Sequence, residues 1–246
     1  MLPTVYAVPE EKTSPRFAAA FAQGCGGEVV TTGVLRPGPW AGFGSSRTWQ
    51  GLMQARRQGR DWWYGDHAYF GRGVWFRVTH NAFQHSGRGH GDKRRLERLG
   101  VEMAPWRRSG RHVLVCPPDA AFAALLGLDE QAWRSRVLTT LYANTDRPVV
   151  VRTRDQHKVR PLAADLVNCW ALVTHVSNAA VEAVAAGVPV ICTGDCAASI
   201  MGLCDPMQIE YPVMPPRHRW AAVLAANQWT IDEIANGDCW RAIGDV

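Results

Sequence analysis

The sequence predicts an α/β fold built as two halves, each a largely parallel sheet flanked by helices. Three observations carry that expectation. Short apolar runs of strand length, at residues 4–8, 111–116 and 147–152, alternate with amphipathic stretches of helical length. Residues 172–191 compress strand, turn, helix and strand into about twenty positions, a pattern that parallel sheets require. A chain of 246 residues with 47% hydrophobic and 20% charged content can bury one large or two small cores. No internal repeat or low-complexity segment interrupts this pattern.

Residues 4–8 read as a first buried strand and not as a signal peptide, because no basic region precedes them and the apolar run is short. A helix is predicted from Ser14, as cap, with Pro15 at the first helical position, to Gln23, where Gly24 stops it. Residues 26–32 make the next short strand, and 36–46 a Gly/Pro-rich loop suited to lining a cleft. Residues 48–58 are helical, basic on the outer face, and end at Gly59. Strands follow at 62–70, where Asp66 and His67 stand at the end, and at 74–79. The glycine-rich loop 81–92 carries His85 and His90. Together with His80 they fall at five-residue spacing, which fits no helical ligand face, so a substrate loop is expected there and no metal site. Residues 92–99 form a short helix with Lys93, Arg94 and Arg95.

The second half, 111–246 against 1–110, opens with an apolar strand stopped by Pro117 and Pro118. An amphipathic helix at 129–142 turns Trp133, Val137, Leu138 and Leu141 inward. The strand 147–152 ends in Arg152, with Arg154 and Lys158 close behind, and a short helix covers 162–168. After the strand at 171–174, Ser177 is a good N-cap, Gly187 a good residue to end the helix, and Pro189 forbids its continuation. A further strand at 188–192 follows. The tail holds a helix at 217–227 and a second that opens with the capping box Thr230-Ile-Asp-Glu233.

Open α/β sheets bind ligands at the carboxyl ends of their strands. The turn at 174–177 is such an end, and small residues at Ser177, Asn178, Ala179 and Ala180 would let an anion approach the first helical N–H groups. His175 lies in the same turn, and Glu182, one turn into the helix, is placed for a ribose diol. Arg152 and Lys158 would add the cations that a diphosphate needs. In the first half, Asp66 and His67 are candidates for taking a proton from an acceptor hydroxyl.

The net charge of +5 is unevenly spread. Residues 36–111 hold fifteen Lys and Arg against five acids, together with six of the eleven tryptophans, so that segment is +10 and the remainder −5. Basic residues interleaved with aromatics suit a nucleic-acid surface, with Arg72, His85, Lys93, Arg94 and Arg95 as acceptor contacts. They equally suit a solvated basic face over a Trp-rich core. Seven scattered cysteines without metal-binding spacing point to a reducing, cytoplasmic setting and no structural metal. No stretch approaches the ~20 apolar residues of a membrane span.

With these residues in view, the chain resembles the GT-B glycosyltransferases, in a compact form found in phage and bacterial genomes. The resemblance is carried by residues 61–70, 149–152, 172–190 and 227–234, and it covers most of the chain. It implies two Rossmann-like halves with a cleft between them, and a nucleotide-sugar co-substrate, a UDP-sugar by preference. In that family the helix start equivalent to Ser177, Asn178 and Ala179 holds the donor diphosphate, and the equivalent of Glu182 holds the ribose. No D-x-D metal motif is present, so a metal-independent enzyme without bound cofactor is expected. The basic first half favours a polyanionic acceptor, foremost a 5-hydroxymethylpyrimidine in phage DNA, flipped from the duplex before reaction. A polysaccharide or other glycan acceptor is the alternative, as is a non-catalytic GT-B-like module that binds a nucleotide or nucleic acid.

Overall fold

The computed structural model describes residues 1–31, 35–44 and 47–244, without the side chains of His157 and Lys158. Thr32, at the end of an expected strand, and Ser45 and Ser46, in the expected loop, lie outside the described residues.

From residue 1 to 85 the chain forms β1 (Thr4–Tyr6), α1 (Ser14–Cys25), β2 (Glu28–Val30), β3 (Trp40–Phe43), α2 (Trp49–Arg57), β4 (Trp62–His67) and β5 (Trp75–His80). Strands β2, β1, β3 and β4 are parallel neighbours in that order, whereas β5 returns antiparallel to β4. The sheet is therefore mixed where a parallel one was expected. Residues 71–74 are the reason: two glycines at positive φ, Gly71 and Gly73, turn the chain straight back without a crossover helix. Strand β3 lies inside the stretch expected to be a loop. Its Trp-Ala-Gly-Phe shows no alternation because every residue is buried.

Strands β1, β3 and β4 each feed two cores. Val5, Ala41, Phe43 and Trp63 join Phe17 and Phe21 of α1 on one side, while Tyr6, Trp40, Trp62 and Tyr64 join Leu52 and Ala55 of α2 on the other. Phe17 and Phe21 are each 1% exposed, and burying such rings is worth about 1.5–3 kcal/mol apiece. Gly65 makes the close docking of α1 possible, since a Cβ there would lie 2.2 Å from Cζ of Phe17.

Residues 86 to 226 form α3 (Lys93–Arg98), β6 (His112–Cys116), α4 (Ala120–Leu125), α5 (Glu130–Asn144), β7 (Val149–Val151), α6 (Leu162–Asp165), β8 (Cys169–Thr174), α7 (Asn178–Ala185), β9 (Val190–Cys192) and α8 (His218–Ala226). Here the sheet is parallel throughout, in the order β7-β6-β8-β9. Asp119 and Asp129 cap α4 and α5 by accepting first-turn amides. Trp133, Val137 and Leu141 of α5 pack on Val113, Val115, Ala171 and Val173, and α7 packs over β8 and β9.

The tail returns to the first sheet. β10 (Gln228–Thr230) pairs antiparallel with β5, and Thr230 with Glu233 closes the expected capping box of α9 (Ile231–Ala235). Ile231, Ala235, Trp240 and Ile243, from α9 and α10 (Asp238–Ile243), pack into the core around Phe17 and Phe21. Gly24, expected to stop α1, instead admits α9: a Cβ there would lie 2.0 Å from the Ile234 carbonyl oxygen. The helix ends two residues later at Gly26, φ 74°. The chain accordingly divides into Met1–His85 with Asn227–Val246, and Ser86–Ala226. The sequence pattern places a single boundary near residue 110 and assigns the C-terminal helices to the second half. A three-residue strand straight after a helix carries too little periodicity to show that the chain changes sheets.

Gly187 closes α7 as expected, at φ 75°, and a Cβ on it would lie 2.1 Å from the Pro105 carbonyl oxygen. The Arg107 amide also donates to the Gly187 carbonyl at 2.8 Å, so the backbone there has no room to retreat. Gly187→Ala is expected to destabilise the chain by roughly 3 kcal/mol, combining left-handed strain with overpacking. Urea unfolding measures this, and an unchanged midpoint would show that the 104–107 segment yields freely.

Candidate functional site

The register of the parallel sheet delivers several side chains to one edge. Cys116 pairs with Thr174 and Thr174 with Cys192, so the residues following them, His175 to Ser177 and Thr193 to Asp195, leave the sheet together. The fully buried Thr174 hydroxyl donates to the Cys116 carbonyl at 2.6 Å and ties β8 to β6. Ser177 is extended (φ −149°) and caps α7, its Oγ accepting the Ala179 amide at 3.2 Å. One amide expected to meet an anion is thus satisfied within the turn. Ala179 and Ala180 are 7% and 0% exposed, so their side chains face the core. Ser177, Asn178 and Glu182 remain half-buried at the surface of the turn.

The loop after β9 buttresses this turn. The Cys196 amide donates to Ser199 Oγ at 2.8 Å, and that hydroxyl donates to the Gly194 carbonyl at 2.9 Å. Hydrogen bonding from the neighbouring Cys192 holds the Cys196 thiol below the ordinary range against the opposing effect of burial, and Cys192 is pushed up in exchange. His175 lies against Gly194, with Nδ1 3.0 Å from Thr193 Oγ1. Burial holds this imidazole below the usual histidine pKa, with Asp195 opposing.

Arg152 does not stand at this edge as a free cation. Its side chain is 2% exposed, bonded to Asp165, and its Nη2 donates to the Arg160 carbonyl at 2.5 Å. Asp165 also accepts Arg160 Nε at 2.9 Å. A guanidinium buried in this way acts as a strut between β7 and α6. The Lys158 side chain lies outside the described residues. The exposed cations here are Arg160 and Arg154, the latter 76% exposed and bonded to Asp119 at 2.6 Å.

In the other unit, Asp66 and His67 close β4. They do not form a carboxylate–imidazole pair. Asp66 Oδ1 accepts the backbone amide of His67 at 2.7 Å, and Oδ2 accepts Arg77 Nη2 at 2.5 Å. Arg77 lies opposite Asp66 in the antiparallel register, 6% exposed at the side chain, with its guanidinium 5.0 Å from the Tyr69 ring centre. The His67 ring stands edge-on to Phe43 at 5.3 Å. Burial lowers its pKa, as do Arg72 and Arg77, while Asp66 opposes them. The result is a neutral, half-buried imidazole on a stiff strand end.

The expected acceptor residues are divided between the two units. Arg72 is exposed in the turn between β4 and β5, and the His85 amide donates to Tyr69 Oη at 2.7 Å. Burial lowers the His85 pKa. Lys93, Arg94 and Arg95 belong to the other unit, on α3, which Asp92 caps and which packs on α8. The tryptophans expected to stack on bases are turned inward: Trp40, Trp62 and Trp63 are at most 4% exposed, and Trp49, Trp75 and Trp106 are partly buried. Trp62 packs on Phe83 and Trp63 stacks on His80, so the rings serve the core and not a nucleic-acid platform. Sequence reasoning missed Arg77, Thr193 and Trp133 as partners at these strand ends. A charged residue in an otherwise apolar strand was the available signal for Arg77.

Among the described residues no group of three or more His, Cys, Asp or Glu side chains is placed to hold a metal ion, and no helix is long and apolar enough to cross a membrane. No protein-family model matches the sequence, and a search of curated proteins finds no match. Among solved structures, the chain is similar to the β-Kdo 2,4-transferase of KpsC from Thermosulfurimonas dismutans, with a TM-score of 0.56 and 14% identity over 93% of this chain and 92% of that one. It is also similar to the β-Kdo 2,7-transferase of the same organism's KpsC, with a TM-score of 0.59 and 12% identity over 94% and 92%. At this identity the likeness is one of fold: α/β, with two Rossmann-like halves.

Proposed function

We propose that this chain is a glycosyltransferase that moves a sugar from a nucleotide-sugar donor to a hydroxyl of an anionic glycan. The observation that carries the reading is the β8–α7 turn at the carboxyl edge of a parallel sheet, within a fold shared almost end to end with two Kdo transferases. At that turn the α7 dipole and the Ser177 and Asn178 groups would bind the donor phosphate, with Glu182 on the ribose. Arg154 and Arg160, exposed where Arg152 is not, would offset the charge that builds on the departing nucleotide. His67, neutral at the end of β4, would take the proton from the acceptor hydroxyl. The oxygen of that hydroxyl bonds the sugar's anomeric carbon as the bond from that carbon to the phosphate oxygen breaks.

A glycan acceptor is preferred to DNA because Trp40, Trp62 and Trp63, at most 4% exposed, serve the core and are not offered to bases, while the basic α3 still suits an acidic polymer. Calorimetric titration with CMP-, UDP- and GDP-sugars, a Kdo nucleotide among them, tests the donor side. The wild-type chain is expected to bind one of them, and Ser177→Trp, which fills the turn, to weaken that binding at least roughly tenfold while leaving the far-UV spectrum intact. Equal binding by the two proteins would remove the turn from the site.

A further inference from the structure

The Thr193 hydroxyl sits between an indole and an imidazole. Trp133 Nε1 donates to Thr193 Oγ1 at 2.8 Å, and His175 Nδ1 lies 3.0 Å from the same oxygen. An indole N–H can only donate, so it occupies one of the hydroxyl's lone pairs. The single hydroxyl proton then has two acceptors in reach, His175 Nδ1 at 3.0 Å and the Thr174 carbonyl at 3.5 Å. The carbonyl is the poorer choice. It lies beyond the usual O–H···O range of about 2.5–3.0 Å, and it already accepts the Thr193 amide at 2.9 Å.

A neutral imidazole that accepts at Nδ1 carries its proton on Nε2. That Nε2 has no hydrogen-bond partner among the described residues. The ring is also held in place: a Cβ on Gly194 would come within 2.5 Å of its Cε1, and the Trp133 ring meets it at 61° with centres 6.3 Å apart.

We propose that Trp133 and Thr193 hold His175 as the neutral Nε2–H tautomer, and, resting on the donor reading above, that this N–H donates to a phosphate oxygen of the nucleotide at the turn before α7. His175 touches the ligand, and Thr193 is a positioning residue acting through it. An uncharged donor suits a phosphate that must leave after transfer, because a charged one would grip it about twice as strongly.

The test combines long-range 15N–1H correlation of the full chain, labelled at histidine, with titration of CMP, UDP and GDP as probes. The His175 signals are assigned by their loss in His175→Gln. The wild-type spectrum is expected to show Nδ1 unprotonated and Nε2 protonated. Thr193→Val is expected to abolish that preference and weaken nucleotide binding roughly tenfold, the worth of one good hydrogen bond. Thr193→Ser, which keeps the hydroxyl, is expected to restore both. An Nδ1–H tautomer in the wild type overturns the relay, whatever the variants do. Loss of the tautomer in Thr193→Val with undiminished binding overturns the donor role alone. A wild-type chain that binds none of the three probes removes that role together with the proposed function.

Discussion

Replacing His67 with asparagine is expected to lower the rate of sugar transfer by about 10²–10⁴-fold, the usual worth of a positioned general base, while the chain stays folded. The imidazole sits at the end of β4, held by the Arg77–Asp66 pair beneath its backbone and by the Phe43 ring at its side. A base works in its unprotonated form. Burial lowers the pKa of this group from the ordinary 6.5, so His67 stays competent at pH values where a free histidine is half protonated. The acidic limb of kcat/KM should therefore lie below 6.5 in the wild type and vanish in the variant. A His67→Asn protein with full activity and an unchanged pH profile would show that another group takes the proton. Asp66 differs, because its carboxylate already serves Arg77 and a backbone amide. Its removal should loosen the strand end before it touches chemistry.

Arg152→Ala is expected to cost about 3–5 kcal/mol of stability, because it strands the mostly buried Asp165 carboxylate without its main partner. Arg152→Met combined with Asp165→Leu should recover much of that loss, since two apolar groups leave no unpaired charge behind. Guanidinium unfolding separates the two variants. If Arg152→Ala folds with wild-type stability yet binds nucleotide weakly, the guanidinium belongs to the donor after all. The sequence shows a cation at a strand end, and this invites the phosphate reading. It does not show that Asp165, thirteen residues on and across a helical turn, would take that cation first.

Other elements divide along the same physical line. The run from β8 through α7 to β9 is legible because local chemistry sets it: a serine cap, a glycine in the left-handed region, then a proline. The capping box at Thr230 is legible for the same reason. Strand β3 is hidden because a strand buried on both faces has no alternation to display, and its glycine and flanking prolines mimic a loop. The reversal at 71–74 and the pairing of β10 depend on contacts far apart in the chain, which no window of neighbouring residues contains. Of the candidate site, the turn at 175–182 and the end of β4 could be found from sequence. Which side chains there are free to meet a ligand could not, because that depends on partners such as Thr193, Arg77 and Asp165.

The return of the tail to the first sheet sets an order of events during synthesis. Residues 86–226 leave the ribosome complete while the strand that covers β5 is still to be made. The parallel sheet of that segment has all its strands and can settle first, whereas the earlier sheet must wait with the outer edge of Trp75–His80 unpaired. An open edge invites pairing with another chain. The interval between the emergence of β5 and of β10 is thus when a nascent copy is most exposed to aggregation, and slowing translation between these two strands lengthens it.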